Sequence, residues 1–179
     1  FWSAIDRVTP AFGYGLLVTP LQLAHAYAVF ANDGRMVPLT LLAQTSQDND
    51  HSASRGRQII SPVVAEKVVT VLHRVTGPEG TAQRATVSGF DVGGKTGTVH
   101  KVGREGYLDD RYVALFAGVA PVESPRYVTV VVIDEPEGDV YGGGAAAAPV
   151  YSRITQEVLR IQNVVPNSAK PVSGDRMLA

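Results

Sequence analysis

Residues 20–31 carry the first clear pattern of the chain, a helix that is apolar on nearly every side. Thr19 can cap its first turn, Pro20 fits the first helical position, and Gln22 lies three residues after the cap, as in a capping box. The helix is expected to end at residues 32–34, Asn-Asp-Gly, which favour a helix C-terminus. Because apolar side chains surround it, we expect it to be buried in the core.

Two further helices are predicted by apolar residues that recur every three or four positions. One covers residues 62–76, and the other begins near residues 146–148, with Pro149 in its first turn, and ends at 163–166. The stripes expected to be buried are Val64, Val68, Val71, Leu72 and Val75 in the first, and Val150, Ile154, Val158 and Ile161 in the second.

Residues rich in β-branched and aromatic side chains predict strands at 112–120 and 127–134, and an apolar run after Pro38 predicts a short strand at 36–43. The turn at 121–125 that joins the first two is short, so we expect them to be antiparallel neighbours. Because both are apolar on both faces, helices are expected to cover the sheet from both sides. The predicted fold class is therefore α/β of the α+β type, an antiparallel sheet covered by helices.

Polar segments separate these elements. Residues 44–57 and 102–111 have no hydrophobic period and predict exposed loops, whereas residues 80–88 predict a connector with a single helical turn. Residues 164–179 lack a core pattern. The domain is therefore expected to cover residues 1–163 and to be followed by a disordered tail at 164–179.

Composition argues against several classes of protein. With 16 Lys and Arg against 17 Asp and Glu the chain is nearly neutral, which argues against nucleic-acid binding. It has no cysteine, and its four histidines lack the spacing of ligands, so neither a metal nor another cofactor is predicted. No apolar run approaches the roughly 20 residues of a membrane span. The chain begins Phe-Trp-Ser, so we expect a piece of a longer protein, whose targeting signals would lie elsewhere.

Residues 93–98, Gly-Gly-Lys-Thr-Gly-Thr, concentrate the chemistry of the chain. With Gly89 they match the phosphate-binding loop G-x-x-x-x-G-K-[ST], which needs a buried strand before it and a helix directly after it. β-Branched residues follow instead and favour a strand, so nucleotide binding is a weak alternative. The stretch also contains K-[ST]-G, an element of penicillin-interacting serine enzymes. A lysine in an exposed turn beside a strand would give the same three letters.

Further segments make the match to those enzymes more specific. In chain order they are Phe-Gly-Tyr-Gly at 12–15, Val-Thr-Pro-Leu-Gln-Leu-Ala at 18–24, Ala-Asn-Asp-Gly at 31–34, Gly-Thr-Ala at 80–82, Val-Gly-Gly-Lys-Thr-Gly-Thr at 92–98, Phe-Ala-Gly-Val-Ala-Pro at 116–121, Tyr-Gly-Gly at 141–143 and Ala-Pro-Val at 148–150. Over residues 12–163 the chain resembles the C-terminal half of the transpeptidase domain of a class B penicillin-binding protein. Its regions 117–121 and 127–136 are most similar to division-specific, septal members from Gram-negative bacteria.

The resemblance implies a fold, a reaction and a location. The fold is that of penicillin-binding transpeptidases and serine β-lactamases, a five-stranded antiparallel sheet in which the strand of Lys95 is an edge strand lining the active-site groove. In the reaction a serine attacks the D-Ala-D-Ala bond of a peptidoglycan stem peptide, and an amine of a second stem takes the acyl group; β-lactams mimic the donor. The location is the periplasmic face of the inner membrane, where an N-terminal span would anchor the complete protein beside the membrane proteins of the divisome.

The resemblance also assigns roles to five residues. Lys95 would hold a proton-relay serine and favour an anionic substrate end, and Thr96 and Thr98 would donate hydroxyl hydrogen bonds to that carboxylate. Gly97 would let the substrate backbone approach, and the Thr98 N–H would be one of two oxyanion-hole donors. Tyr141 would line the rim of the groove, although packing at a helix start explains this tyrosine equally well.

The sequence departs from the family in one respect. No serine is followed by lysine three positions later or by asparagine two positions later, so these residues lack the S-x-x-K and S-x-N elements. The resemblance then implies that the upstream part of the same domain supplies the nucleophile and two more strands, one of them beside residues 127–134, and that this part is inactive alone. A non-catalytic penicillin-recognition module, such as a sensor, is an alternative that keeps the fold without turnover.

Overall fold

A computed structural model of the chain describes residues 3, 7–9, 16–42, 56–104, 106–138 and 140–167. The family-like segment at residues 12–15, nearly all of the predicted loop at 44–57, and residues 168–179 of the predicted tail lie outside the described residues. None of the described helices is long and apolar enough to cross a membrane.

The first helix, α1, covers Pro20–Ala31 and starts with the predicted capping box. The Thr19 hydroxyl oxygen accepts a hydrogen bond from the Gln22 N–H at 3.2 Å, and the Thr19 N–H donates to Gln22 Oε1 at 2.8 Å. The predicted burial of this helix is wrong, because only Val29 is buried and Leu21 is 51% exposed. A helix that is apolar all round needs neighbours on every side, and the described part of the chain packs against only part of its surface.

Two short strands follow, β1 at Arg35–Met36 and β2 at Arg57–Gln58, which pair antiparallel. The predicted strand at residues 36–43 is therefore wrong at residues 37–42, and residue 43 lies outside the described residues. Pro38 has no N–H to donate to a strand ladder, which explains why β1 ends before it.

The second helix, α2, covers Pro62–Thr76 as predicted. Its predicted buried stripe is confirmed in part: Leu72 is buried, and Val75 is half-buried against the core. Val64 and Val71 are 45% and 60% exposed, so the prediction is wrong for them. The residues that α2 buries are Ala65, Val69, Leu72 and Thr76. A strand passes very close to this face, since a Cβ at Gly93 would lie 2.8 Å from the His73 nitrogen.

A three-stranded antiparallel sheet forms the centre of the fold in the order β3-β4-β5, with β3 at Gly93–Gly103, β4 at Gly106–Ala120 and β5 at Tyr127–Asp134. The antiparallel pairing of the last two strands is confirmed. The predicted loop at residues 102–111 is wrong, because β3 and β4 continue as a hairpin. Its polar character has another cause. β5 pairs with β4 only as far as Val113 opposite Asp134, so the end of the hairpin extends beyond the third strand and is mostly exposed.

Helices cover both faces of the sheet, as predicted. Gly93, on one face, abuts α2, whereas Phe116, on the other face, packs against Tyr151 with ring centroids 4.6 Å apart. Tyr151 belongs to the third helix, α3, which covers Ala147–Ile161 with Pro149 in its first turn, as predicted. The antiparallel sheet between helices confirms the predicted fold class. The described residues hold three strands of this sheet, where the resemblance implies five.

The stripe that α3 buries differs from the prediction. Its buried residues are Ala147, Ala148, Tyr151, Thr155 and Leu159. The predicted Val150, Ile154 and Ile161 are 38%, 44% and 64% exposed. The helix has two adjacent apolar stripes, and the stripe with Tyr151 is buried because its ring fits over Gly118, where a Cβ would lie 2.7 Å from it.

Residues 164–167, the first of the predicted tail, contact the rest of the fold. Val164 packs against the core cluster. The Asn167 N–H donates to Gly89 O at 2.8 Å, and its side-chain amide donates to Asp91 Oδ2 at 2.8 Å. The end of the described chain is thereby joined to the turn that precedes β3.

Candidate active site

Lys95, Thr96, Gly97 and Thr98 lie near the start of β3, at one edge of the sheet, because β4 is the only strand that pairs with β3 among the described residues. β3 continues to Gly103, so no helix follows the lysine and the phosphate-binding loop does not fit. The free edge of such a strand can pair with an extended peptide.

The two threonine side chains project from the same face of the sheet. Thr96 is paired with Phe116 and Thr98 with Ala114, whereas Lys95 lies on the opposite face. Residues two apart on a strand are separated by about 6.5 to 7 Å, so the hydroxyls form a pair along the edge strand. Lys95 Nζ bends back over the backbone and donates to Thr96 O at 3.0 Å and to Thr96 Oγ1 at 3.4 Å.

The Thr98 hydroxyl is held by the loop that precedes α3. The Gly143 N–H donates to Thr98 Oγ1 at 3.0 Å. A hydroxyl that accepts in this way keeps its own proton for another acceptor. The Gly143 carbonyl accepts from the N–H groups of Ala147 and Ala148 at 3.1 and 2.9 Å, so the donor is fixed to the first turn of the helix.

This loop can lie on the sheet because Gly143 has no side chain. A Cβ there would be 2.3 Å from Leu115 O and 2.4 Å from Gly97 O. A Cβ at Gly97 would meet the Leu115 side chain at 2.7 Å. Glycine at position 143 therefore allows the loop to approach the two strands this closely, and glycine at position 97 leaves room for the Leu115 side chain.

The Thr96 hydroxyl has two polar neighbours. Besides the Lys95 ammonium it lies 3.3 Å from the hydroxyl oxygen of Thr81, in the turn that follows α2. Lys95 itself forms no ion pair within the part of the chain that the structure describes, so its charge is available to an anion. The site therefore combines two hydroxyls with one ammonium at the edge of a sheet.

Tyr141 stacks on Tyr112 of β4, with centroids 4.0 Å apart and ring planes 14° apart, while 43% of Tyr141 stays exposed. Tyr112 in turn contacts the ring of His100 at 4.4 Å. Loss of water around the Tyr112 hydroxyl raises its pKa, and a hydrogen bond with Tyr141 adds to the shift. Tyr141 thus packs at the start of the loop and also presents an exposed flank, so both roles considered for it remain compatible with the geometry.

A group of charges joins β3 and β4 to the end of β5, away from the threonines. Lys101 pairs with Asp134 and Glu135 at 2.9 and 2.7 Å, and Arg111 pairs with Glu135 at 3.0 Å. Hydrogen bonds from the two cations lower the pKa of Glu135, and hydrogen bonds to Glu135 and Asp134 raise the pKa of Lys101. Among the described residues no three His, Cys, Asp or Glu side chains gather to form a metal site.

Thr81 and Gly143 are contacts of the site to which the sequence alone assigned no role. Thr81 is 15 positions from Thr96, and Gly143 is 45 positions from Thr98. Only the fold brings them together. The one signal for them in the sequence was the family match of the Gly-Thr-Ala and Tyr-Gly-Gly segments that contain them.

The chain is similar to penicillin-binding proteins in both sequence and structure. The family model described as penicillin binding protein transpeptidase domain matches residues 1–156. Peptidoglycan D,D-transpeptidase FtsI of Escherichia coli K12 is 39% identical over 175 residues, and the probable peptidoglycan D,D-transpeptidase PenA of Neisseria flavescens is 39% identical over 172 residues. The apo structure of the TP domain of Burkholderia pseudomallei penicillin-binding protein 3 superposes with a TM-score of 0.83 at 40% identity.

These alignments cover nearly all of this chain but a smaller part of its relatives. They include 98% of the chain and 28% of FtsI, and 96% of the chain and 41% of PenA. For the solved domain the shares are 95% of this chain and 50% of that one. The chain therefore spans less than half the length of these curated relatives.

Proposed function

Because the chain belongs to the penicillin-binding protein transpeptidase family, we propose that it forms one wall of the active site of a peptidoglycan D,D-transpeptidase. One observation carries the proposal. Thr96 and Thr98 present two hydroxyls on one face of an edge strand, beside the ammonium of Lys95. A carboxylate fits such a set of donors, because hydrogen bonds to a charged acceptor are the strong ones. The proposed carboxylate is the C-terminus of a stem peptide that ends in D-Ala-D-Ala.

In the proposed reaction a serine hydroxyl attacks the carbonyl carbon of the penultimate D-Ala. The serine gives its proton to a base, and the terminal D-Ala leaves as an amine that takes up a proton, which produces an acyl-serine ester. The amine of a second stem peptide then displaces the serine, so the cross-link forms and the serine hydroxyl is restored. β-Lactams would enter the same groove and acylate the same serine.

Each residue of the wall has a task in this reaction. The hydroxyls of Thr96 and Thr98 hold the substrate carboxylate, and Lys95 holds a proton-relay serine and adds positive charge. The Thr98 N–H is one of two oxyanion-hole donors, and losing one such donor slows a reaction by about 100- to 1,000-fold. Gly97 lets the substrate lie along β3 as an added strand, and the exposed flank of Tyr141 lines the rim of the groove.

The proposed active site needs a second wall that carries the nucleophile, because no S-x-x-K or S-x-N element is present in the sequence. The upstream part of the same domain is the proposed source of it, and this part is proposed to be inactive alone. Exposed apolar side chains support such a partner, since Val132 of β5 is 42% exposed, and Ile154 and Ile161 of α3 are 44% and 64% exposed. An apolar edge strand that stays uncovered invites aggregation.

The relatives support a proposed biological setting. The names of FtsI and PenA describe peptidoglycan D,D-transpeptidases, and the resemblance to septal members favours wall synthesis at the division septum. The complete protein would work at the periplasmic face of the inner membrane, held by an N-terminal span, together with membrane proteins of the divisome.

The test uses the complete protein that carries this chain, a stem peptide ending in D-Ala-D-Ala and an amine acceptor. We expect release of D-Ala with transfer of the peptide to the amine, and no release by these 179 residues alone. Covalent binding of penicillin without release of D-Ala would instead support the sensor module. A complete protein that neither binds penicillin nor releases D-Ala would contradict both functions.

A further inference from the structure

We propose that Thr81 is a positioning residue of this site: its hydroxyl donates to Thr96 Oγ1 and so leaves the Thr96 proton to the substrate. The inference rests on the proposed function. The two hydroxyl oxygens are 3.3 Å apart, although Thr81 lies in the turn after α2 and Thr96 lies on β3. Thr81 itself is not proposed to touch the substrate, because it acts through Thr96.

The direction of this hydrogen bond decides its effect. A hydroxyl has one proton to donate and two lone pairs that accept. Lys95 Nζ can only donate, and it lies 3.4 Å from Thr96 Oγ1. If Thr81 donates as well, both lone pairs of Thr96 are engaged and its proton is free for a third partner. If Thr96 donated to Thr81 instead, the substrate would lose that proton.

The neighbouring threonine has the same arrangement. Thr98 Oγ1 accepts from the Gly143 N–H at 3.0 Å, a backbone donor that cannot reverse its direction. Thr96 and Thr98 lie on the same face of β3. With Thr81 as donor, both hydroxyls accept from the protein and both direct a proton away from it. Two such protons suit a carboxylate, which has two oxygens and only accepts.

Thr81 is held in place by the turn that contains it. The next residue, Ala82, is fully buried, and its N–H donates to Val75 O at 3.0 Å. The loop before α3 packs directly on the same turn, since a Cβ at Gly144 would lie 2.2 Å from Thr81 O. The Thr81 hydroxyl therefore reaches the site from a fixed point of the fold.

The test measures how fast the complete protein is acylated by a fluorescent penicillin, whose carboxylate stands for that of the substrate. Thr81→Val removes the hydroxyl and keeps the shape, and we expect an acylation rate about 3- to 10-fold lower, the usual effect of one neutral hydrogen bond. Thr81→Ser keeps the hydroxyl and should restore the rate. Thr86→Val is the matched control. It also removes a threonine hydroxyl from the connector at residues 80–88, but this hydroxyl donates to Gln83 O at 3.0 Å, so the acylation rate should stay unchanged.

A double variant separates positioning from a general structural effect. In a Thr96→Val background, Thr81→Val should cause no further loss, because its effect passes through the Thr96 hydroxyl. Equal rates for Thr81→Val and the unaltered protein, or losses that simply add in the double variant, would overturn the proposal. If the unaltered protein is not acylated at all, the proposed function fails, and this inference fails with it. If the unaltered protein is acylated but the Thr81 variants behave as just described, only this inference fails, so the two failures are distinguishable.

Discussion

The N–H of Gly143 donates a hydrogen bond of 3.0 Å to the hydroxyl oxygen of Thr98, across 45 positions of the sequence. The Gly143 carbonyl also accepts from the first N–H groups of α3. The bond therefore links that helix to the edge strand. The Thr98 hydroxyl is proposed to hold the substrate, and the direction in which it donates its proton depends on how the loop before α3 lies on the sheet.

Gly143→Ala should displace this loop, since the new methyl would lie 2.3 Å from Leu115 O and 2.4 Å from Gly97 O. We expect a free energy of unfolding about 1 to 3 kcal/mol lower, together with slower acylation of the complete protein by penicillin. Gly142→Ala is the matched control, because the nearest atom to its methyl would be Thr98 Oγ1 at 3.8 Å. Urea unfolding measures the free energy of unfolding of both variants. Equal values would show that the loop does not need this close approach.

Thr98→Val should slow acylation more than Thr98→Ser. Valine removes the hydroxyl proposed to face the carboxylate and leaves the Gly143 N–H without its acceptor, whereas serine keeps both bonds. A hydrogen bond to a charged group contributes about 1.5 to 3 kcal/mol, so the valine variant should react roughly 10- to 150-fold more slowly with penicillin.

The loss in Thr98→Val should shrink for an ester substrate that lacks the carboxylate. Rates of acylation by both substrates, measured for both variants, check this. The same loss with and without the carboxylate would exclude Thr98 as its partner.

Ile154→Ala should have different effects on the isolated chain and on the complete protein. Ile154 is 44% exposed here, so we expect the free energy of unfolding of these residues alone to fall by less than about 1 kcal/mol. If the upstream part of the domain covers this stripe of α3, the loss in the complete protein should reach about 2 to 5 kcal/mol.

Arg153→Ala, an exposed neighbour on the same helix, is the control and should be nearly neutral in both proteins. Chemical denaturation of the two variants, each made in the isolated chain and in the complete protein, measures the losses. An equally small loss for Ile154→Ala in the complete protein would mean that this stripe stays uncovered.

Glu135→Gln should remove a pH-dependent part of the stability. Lys101 and Arg111 lower the pKa of Glu135 from its ordinary value of 4.5. A carboxyl group with a lowered pKa in the folded state stabilises the fold above the unfolded pKa, and this contribution is lost as the pH falls through the folded pKa. Thermal melts should therefore favour the unaltered chain at pH 7, with a difference that shrinks below about pH 4 and in high salt. A difference independent of pH would rule out ion pairing as its source.

The helix starts could be predicted from the sequence because their causes are local. Thr19, Pro20 and Gln22 form the cap of α1 within four residues of sequence. The buried face of α3 could not be predicted in this way. Val150 and Tyr151 belong to two adjacent apolar stripes, and the buried one is decided by Gly118 on a neighbouring strand.

The sequence names a set of residues for the candidate site, whose roles stay a prediction, but the geometry of the site could not be predicted from it. The K-T-G letters and the family resemblance identify Lys95, Thr96 and Thr98. The neighbours that orient the two hydroxyls, Thr81 and Gly143, come from distant turns that only the folded chain brings to β3. The sequence predicts a loop at residues 102–111 instead of the end of the β3–β4 hairpin. Polar residues on a strand pair that extends beyond the sheet give the same pattern as a loop.

The position of the serine that penicillin acylates tests the proposed division of the active site most directly. The complete protein is labelled with a fluorescent penicillin and digested, and the labelled peptide is identified by mass spectrometry, with these 179 residues alone labelled in parallel. We predict a label on the serine of an S-x-x-K segment outside these residues, and none on the isolated chain. A label on any serine within residues 1–179 would contradict the account.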